Sequence, residues 1–283
     1  MTQLRIGGVP EHFNLPWHRL IEARGPGRLG VDFRWRDYPD GSGAMAAALR
    51  AEELDAAMLL TEGAVAGAAA GGFKIVSLYT ESPLIWGIHV PAASPIRTVD
   101  DLRGRRYAIS RRGSGSHLMS VVHARERGWP TADLDFVVVG TLQGAIDAFA
   151  NGTADVFFWE KFMTKPIVDS GRFRRIAEFV APWPAFVVCA SSAALARRAA
   201  LASVLRGVFA SAAELAASRD APATIAARYG LEAHDVREWL RVTRWASRPG
   251  VDFEHVAPAV AQLGALGLIG ADVSPAMLLA PLE

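Results

Sequence analysis

The run Gly113-Ser114-Gly115-Ser116-His117 concentrates groups suited to holding an anion. Glycines let a ligand approach the backbone closely, and serines supply hydroxyl donors. The run leads into a helix, whose first N–H groups lack intrahelical partners and favour negative charge. Arg111 and Arg112 put two cations just upstream. A plain helix cap with a flexible approach is the alternative. The run is neither a P-loop nor a dinucleotide fingerprint, because the required Lys and third Gly are missing.

Three further clusters carry candidate ligand-binding residues. Pro10-Glu11-His12 follows the first strand, so Glu11 or His12 could hydrogen-bond a ligand; a solvated loop is the alternative. Thr61-Glu62 and Trp159-Glu160-Lys161 follow the third strand of their respective halves. Trp159 could stack on a planar or apolar part of a ligand, and Glu62 with Glu160 would suit an amine. Glu81 and Trp86 would either wall a cleft or simply pack. His18, His89, His234 and His255 show no paired metal spacing, and His117 and His123 are too far apart in sequence to share a helix face well. No metal and no cofactor are expected. The single cysteine, Cys189, lies in an apolar run and reads as a buried, inert thiol.

The elements that must position these residues repeat. The first half reads as strand (residues 4–8), helix capped by Asn14, strand (31–36), helix (44–51), strand (55–60), helix and strand (74–79). The second reads as strand (106–110), helix, strand (134–139), helix (145–150), strand (155–158), helix and strand (174–179). Asp55 matches Asp155, Gly71 matches Gly171, and Phe73 matches Phe173. Alternating strands and helices predict the α/β class. Two similar lobes follow, each a mostly parallel sheet with helices on both faces. Residues 191–283 read as a helical C-terminal tail. The expected division is 1–90 for lobe 1, 91–184 for lobe 2, and 185–283 for a return to lobe 1 and the tail. The crossings fall near Val90-Pro91 and Pro182-Trp183-Pro184, where proline restricts the backbone and suits a two-strand hinge.

The 283 residues are 51% apolar and 21% charged, too apolar for disorder. The low-charge, Ala/Gly-rich stretch of residues 63–73 is too short to span a bilayer. A net charge of +1 argues against a chain built around a nucleic-acid footprint, though not against a local anion site.

The segment from Thr98 to Ser110, with Asp101-Leu102-Arg103-Gly104, resembles the opening of the second lobe in type II solute-binding proteins. The nearest large branch is the nitrate/sulfonate/taurine-type binding proteins of ABC importers. The 113–117 run lies where that branch has a Ser-rich helix start, and Trp159-Glu160 where it has a cleft loop. Phe149-Ala150-Asn151-Gly152-Thr153-Ala154-Asp155 resembles its helix, glycine turn and Asp-led strand. The resemblance implies reversible binding of a small, anionic solute between two lobes, with an ABC permease as partner and neither nucleic-acid binding nor membrane insertion. In open α/β sheets ligands bind beyond the carboxyl ends of the strands, which is where the four clusters lie. Met1–Gly8 shows no positive start followed by an apolar core, so the chain reads as cytoplasmic as written, and as periplasmic if a signal peptide has been removed. The alternative is a cytoplasmic enzyme of menaquinone-pathway or thiamine-pyrimidine type on the same scaffold. His12 or His117 would then be its acid–base residue, partnered by Glu11, Glu62 or Glu160. A ligand sensor acting through a partner protein is a third reading.

Overall fold

The computed structural model describes residues 3–24 and 30–282. In each half of the chain, an aspartate leading into a strand holds an arginine on the neighbouring strand. Asp55 Oδ2 accepts the Arg5 amide at 2.7 Å and Nε at 3.0 Å, with Nη2 on Oδ1 at 3.1 Å. Asp155 repeats this on Arg106, with the amide and Nε at 3.0 Å and Nη2 at 2.9 Å. Each aspartate amide donates back to its arginine carbonyl. A two-pronged guanidinium–carboxylate pair is geometrically specific, so it pins the register of the parallel strands on either side.

Those strands are β1 (Leu4–Gly8) beside β3 (Ala56–Leu60), and β6 (Arg106–Ile109) beside β8 (Val156–Glu160). The first sheet runs β2-β1-β3-β10-β4, adding β2 (Phe33–Asp37), β4 (Phe73–Leu78) and β10 (Phe186–Ser191). The second runs β7-β6-β8-β5-β9, adding β5 (Pro83–Pro91), β7 (Asp135–Val138) and β9 (Phe173–Pro184). The orders are the same once β1, β2, β3, β4 and β10 are matched to β6, β7, β8, β9 and β5. In each sheet the matched odd strand, β10 or β5, is antiparallel to its neighbour β3 or β8. The fold is therefore α/β, with mixed, mostly parallel sheets and a helical C-terminal region, as expected.

Contacts divide the chain into unit 1, Met1–Pro83 with Pro182–Glu283, and unit 2, Leu84–Ala181. In unit 2, the alternation of β8 serves both faces. Phe157 and the half-buried Trp159 turn to the helix α5 (Leu142–Ala150), joining Ala108, Ala148, Phe149 and Phe173. Phe158 turns to the other face and meets His123 of α4 (Gly115–Glu126) at 5.3 Å. In unit 1, α2 (Ser42–Arg50), α3 (Thr61–Ala69) and α10 (Phe253–Ala265) pack together, while α1 (Leu15–Arg24) packs on α7 (Arg198–Ala217). The stretch Ala194–Ala217 is long and apolar enough to cross a membrane by length and composition, and 56% of that window is buried, as in a core helix.

Several local expectations differ from the structure. Asn14 does not cap a helix: its amide nitrogen donates to the Val9 carbonyl at 2.8 Å, and its Oδ1 has no partner. Residues 83–91 form β5, so Val90-Pro91 ends a strand of unit 2 that is bonded to β8. Trp159 and Glu160 close β8 rather than open a loop, because Gly87 and Trp86 of β5 still pair with them. Thr61 begins α3 directly, with no intervening loop.

Candidate functional site

In unit 2 the carboxyl end of β6 turns through residues 110–114 into α4. The Ser114 carbonyl accepts the Leu118 amide at 2.9 Å, and its hydroxyl oxygen takes the His117 amide at 3.4 Å, so Ser114 is the cap of the helix. Ser116 Oγ accepts the Ser110 amide at 3.0 Å and lies 3.0 Å from Ser114 Oγ. Two hydroxyls carry two protons, and their mutual bond uses one. One hydroxyl proton is left to point at a ligand. The Gly115 and Ser116 amides, at the first turn of a twelve-residue helix, have no intrahelical acceptor.

His117 Nδ1 accepts the Gly113 amide at 3.1 Å, which places the proton of the neutral ring on Nε2. Burial, then the nearby Arg112 guanidinium, holds this histidine below its ordinary pKa. Arg112 lies over the Phe136 ring at 5.1 Å, and His117 meets the same ring edge-on at 4.7 Å. Gly113 has φ of +76°, which allows the tight return into the helix. The turn therefore brings Gly113, Ser114, Gly115, Ser116 and His117 together as one donor-rich helix start with the exposed Arg112 beside it.

Trp159 and Glu160 do not join it. Trp159 stacks on Phe157 at 5.1 Å, against the α5 face. Glu160 is buried, and its Oε2 accepts the amides of Phe162 at 2.9 Å and Met163 at 2.6 Å. It caps the turn below its own strand, which is work that leaves that oxygen no role for a ligand amine. Trp86 is buried on β5.

In unit 1, Pro10, Glu11 and His12 follow β1. Glu11 keeps partial solvent contact, and burial lifts its carboxyl to about 7. His12 is fully buried. Trp239 lies edge-on at 4.3 Å and Tyr229 edge-on at 6.2 Å, with Phe13 tilted at 4.8 Å. Neither ring nitrogen has a partner, and burial lowers its pKa to about 3. Thr61 and Glu62 are spent on the segment that re-enters unit 1. Thr61 Oγ1 donates to the Pro184 carbonyl at 2.5 Å and its amide to the Ala185 carbonyl at 3.1 Å. Glu62 Oε2 accepts the Trp183 indole N–H at 2.9 Å. Glu81 is exposed, 3.9 Å from Arg244. It also borders a cavity of about 390 Å³ with Leu78, Arg248, Asp252 and His255, which none of Pro10, Glu11, His12, Thr61 and Glu62 lines.

The acid–base pairings expected of an enzyme are not formed. His12 contacts aromatic rings, His117 Nδ1 contacts a backbone amide, Glu62 a tryptophan and Glu160 two amides. Sequence reasoning missed Ser110, Trp239 and Tyr229. Ser110 acts through its amide, which no residue type announces. Trp239 and Tyr229 reach His12 from more than 200 positions away.

The family described as Ca3427-like PBP matches residues 86–179, about a third of the chain. The structure of the Candida albicans CA3427 gene product, described as exhibiting the generic periplasmic binding protein structural fold, superposes with a TM-score of 0.91. It is 23% identical over 99% of this chain and 96% of that one. The chain has the periplasmic-binding-protein fold. Two other structures with this fold are sulfonate binders. The alkanesulfonate-binding protein SsuA of Xanthomonas axonopodis pv. citri, bound to MOPS, gives a TM-score of 0.83 at 21% identity, covering 99% of both chains. The periplasmic aliphatic sulphonate binding protein SsuA of Escherichia coli gives 0.75 at 21%, over 98% of this chain and 92% of that one. No curated protein matches the sequence.

Proposed function

We propose that this protein binds a small anionic solute reversibly, with the 113–117 turn as the anion-holding element. The observation that carries the reading is the α4 N-terminus: Gly115 and Ser116 amides with no intrahelical acceptor, the Ser114–Ser116 hydroxyl pair, and Arg112 beside them. Hydrogen bonds from such donors to a charged oxygen are the stronger class. The likeness to the SsuA structures supports an organic sulfonate as the first solute class to try, with the planar oxyanion nitrate as the second. Glu11 is the unit 1 residue carried forward as a candidate for the solute, since it is half-buried while His12, Thr61 and Glu62 are buried. The reading of the sequence as two hinge-linked lobes adds closure on the solute, and an ABC permease as the partner that receives it.

Isothermal calorimetry with MOPS, short alkanesulfonates, sulfate and nitrate tests this. A Ser114→Ala, Ser116→Ala double variant should weaken the best anion by about 1–3 kcal/mol. Unchanged affinity would remove the hydroxyls from the site, and heat-silent titrations with every anion would sink the reading itself.

A further inference from the structure

Thr61 and Glu62 grip the chain where it comes back from unit 2. Three bonds in a row hold Trp183, Pro184 and Ala185 to the first residues of α3. The outgoing segment is tied to the same place: the Ala185 amide donates to the Ser82 carbonyl at 2.9 Å, and the Phe186 amide to Thr80 Oγ1 at 3.0 Å. Both connections between the units thus anchor in unit 1 within a few residues of one buried carboxyl. That carboxyl is half satisfied. Glu62 is 2% exposed, Oε2 has the indole, and Oε1 has no partner.

We propose that Glu62 and Trp183 form a latch on the re-entering segment, closed when Glu62 is protonated and loosened when it ionises. A buried oxygen with no donor is tolerable on a neutral acid and costly on a carboxylate. Ionisation therefore favours any excursion that lets water reach Oε1, and the nearest one is release of Trp183 from α3. The titration range agrees: burial raises Glu62 from 4.5 to about 7, opposed only by its own amide and by the Trp183 indole. No charged group on α2, α10, β3 or β10 enters that balance. If the carboxyl titrates normally once hydrated, the opening equilibrium rises by about 300-fold from below pH 4.5 to above pH 7, ten-fold per unit of the displacement. A loosened anchor would free the crossing on which solute-driven closure depends. That consequence rests on the binding proposal, whereas the latch itself does not.

The test uses the ligand-free chain. Native-state hydrogen exchange is followed at the Trp183 indole N–H, identified by its loss in Trp183→Phe, and at the Thr61 and Ala185 amides. After correction for intrinsic base catalysis, wild-type protection should fall by about 70-fold between pH 5 and pH 8, since at pH 5 part of the displacement has already been traversed. In Glu62→Gln it should stay level, because the amide oxygen still accepts the indole and cannot ionise. Equal pH dependence in the two proteins overturns the latch. Should Glu62→Gln not fold, the wild-type indole resonance decides alone: a midpoint near pH 7 supports the latch, and a shift constant from pH 5 to 9 overturns it. Anion calorimetry is unaffected by either outcome, so failure of the latch and failure of the binding reading are told apart.

Discussion

Glu52 is the one described residue other than glycine with a positive φ, +55°. It ends α2 at the place where Gly152, φ +70°, ends α5. The bonds around the two are the same. The residue after α2, Ala51, donates to Ala47 as Asn151 donates to Asp147; Glu53 donates to Ala48 as Thr153 donates to Ala148. Holding an L-residue in the left-handed region costs about 1–2 kcal/mol. Glycine removes that cost but loses about 0.5–1 kcal/mol more backbone entropy on folding. Glu52→Gly should therefore stabilise unit 1 by about 0.5–1 kcal/mol. The Glu52 side chain is exposed, and its charge reaches only the partly exposed Arg5, a correction of a few tenths at most. Gly152→Ala is the mirror experiment. A Cβ there meets nothing within 4 Å, so only the backbone resists, and unit 2 should lose about 0.5–1 kcal/mol. Urea unfolding at pH 7 gives the totals, and amide exchange in β1 and β6 assigns them to units 1 and 2. A neutral or destabilising Glu52→Gly would refute the equivalence of the two helix ends.

The twin ion pairs should differ in strength. Asp55 is 1% exposed and also holds Arg197, whereas the Asp155 side chain is 26% exposed. Asp55→Asn should cost about 2 kcal/mol at pH 7 and Asp155→Asn about 1. Burial pushes the Asp55 carboxyl up, but its bonds to Arg5 and the Arg197 charge outweigh it and hold it below 3.8. Its contribution is thus present above pH 3.8 and fades as pH falls through the folded value, so urea unfolding at pH 3 should show a smaller gap from Asp55→Asn than at pH 7. His12 works the other way round. Its folded pKa of about 3 lies below 6.5, so the unfolded chain binds the proton first and stability drops as pH falls from 6.5 towards 3. His12→Phe should be near neutral at pH 7 and more stable than wild type by about 3 kcal/mol at pH 4; matching acid limbs would count against a buried neutral ring.

What could be read from the sequence was local. Asp55 and Asp155, Gly71 and Gly171, and Phe73 and Phe173 each shape a few neighbouring residues, so their recurrence announced two similar halves. The 113–117 turn was legible for the same reason: its acceptors, donors and helix start lie within eight positions, and the structure needs nothing distant to assemble them. β5 and β10 were opaque because an apolar run does not say which sheet will take it. β10 pairs with β3 and β4 more than 100 positions upstream. The carboxylates show where such reading stops. The sequence offers Glu62 and Glu160 alike to a ligand amine, but the structure sets them two positions apart: Glu160 closes β8 where Leu60 closes β3, and Glu62 is the second residue of α3. Glu160 turns to amides two and three residues on, a choice made by the bend of its own chain. Glu62 turns to an indole 121 residues away, a choice made by the whole of unit 1. The internal repeat thus carried over the strands and helices and not the carboxylates. The second half kept its carboxyl for a turn, while the first committed its own to the strand that brings the chain home.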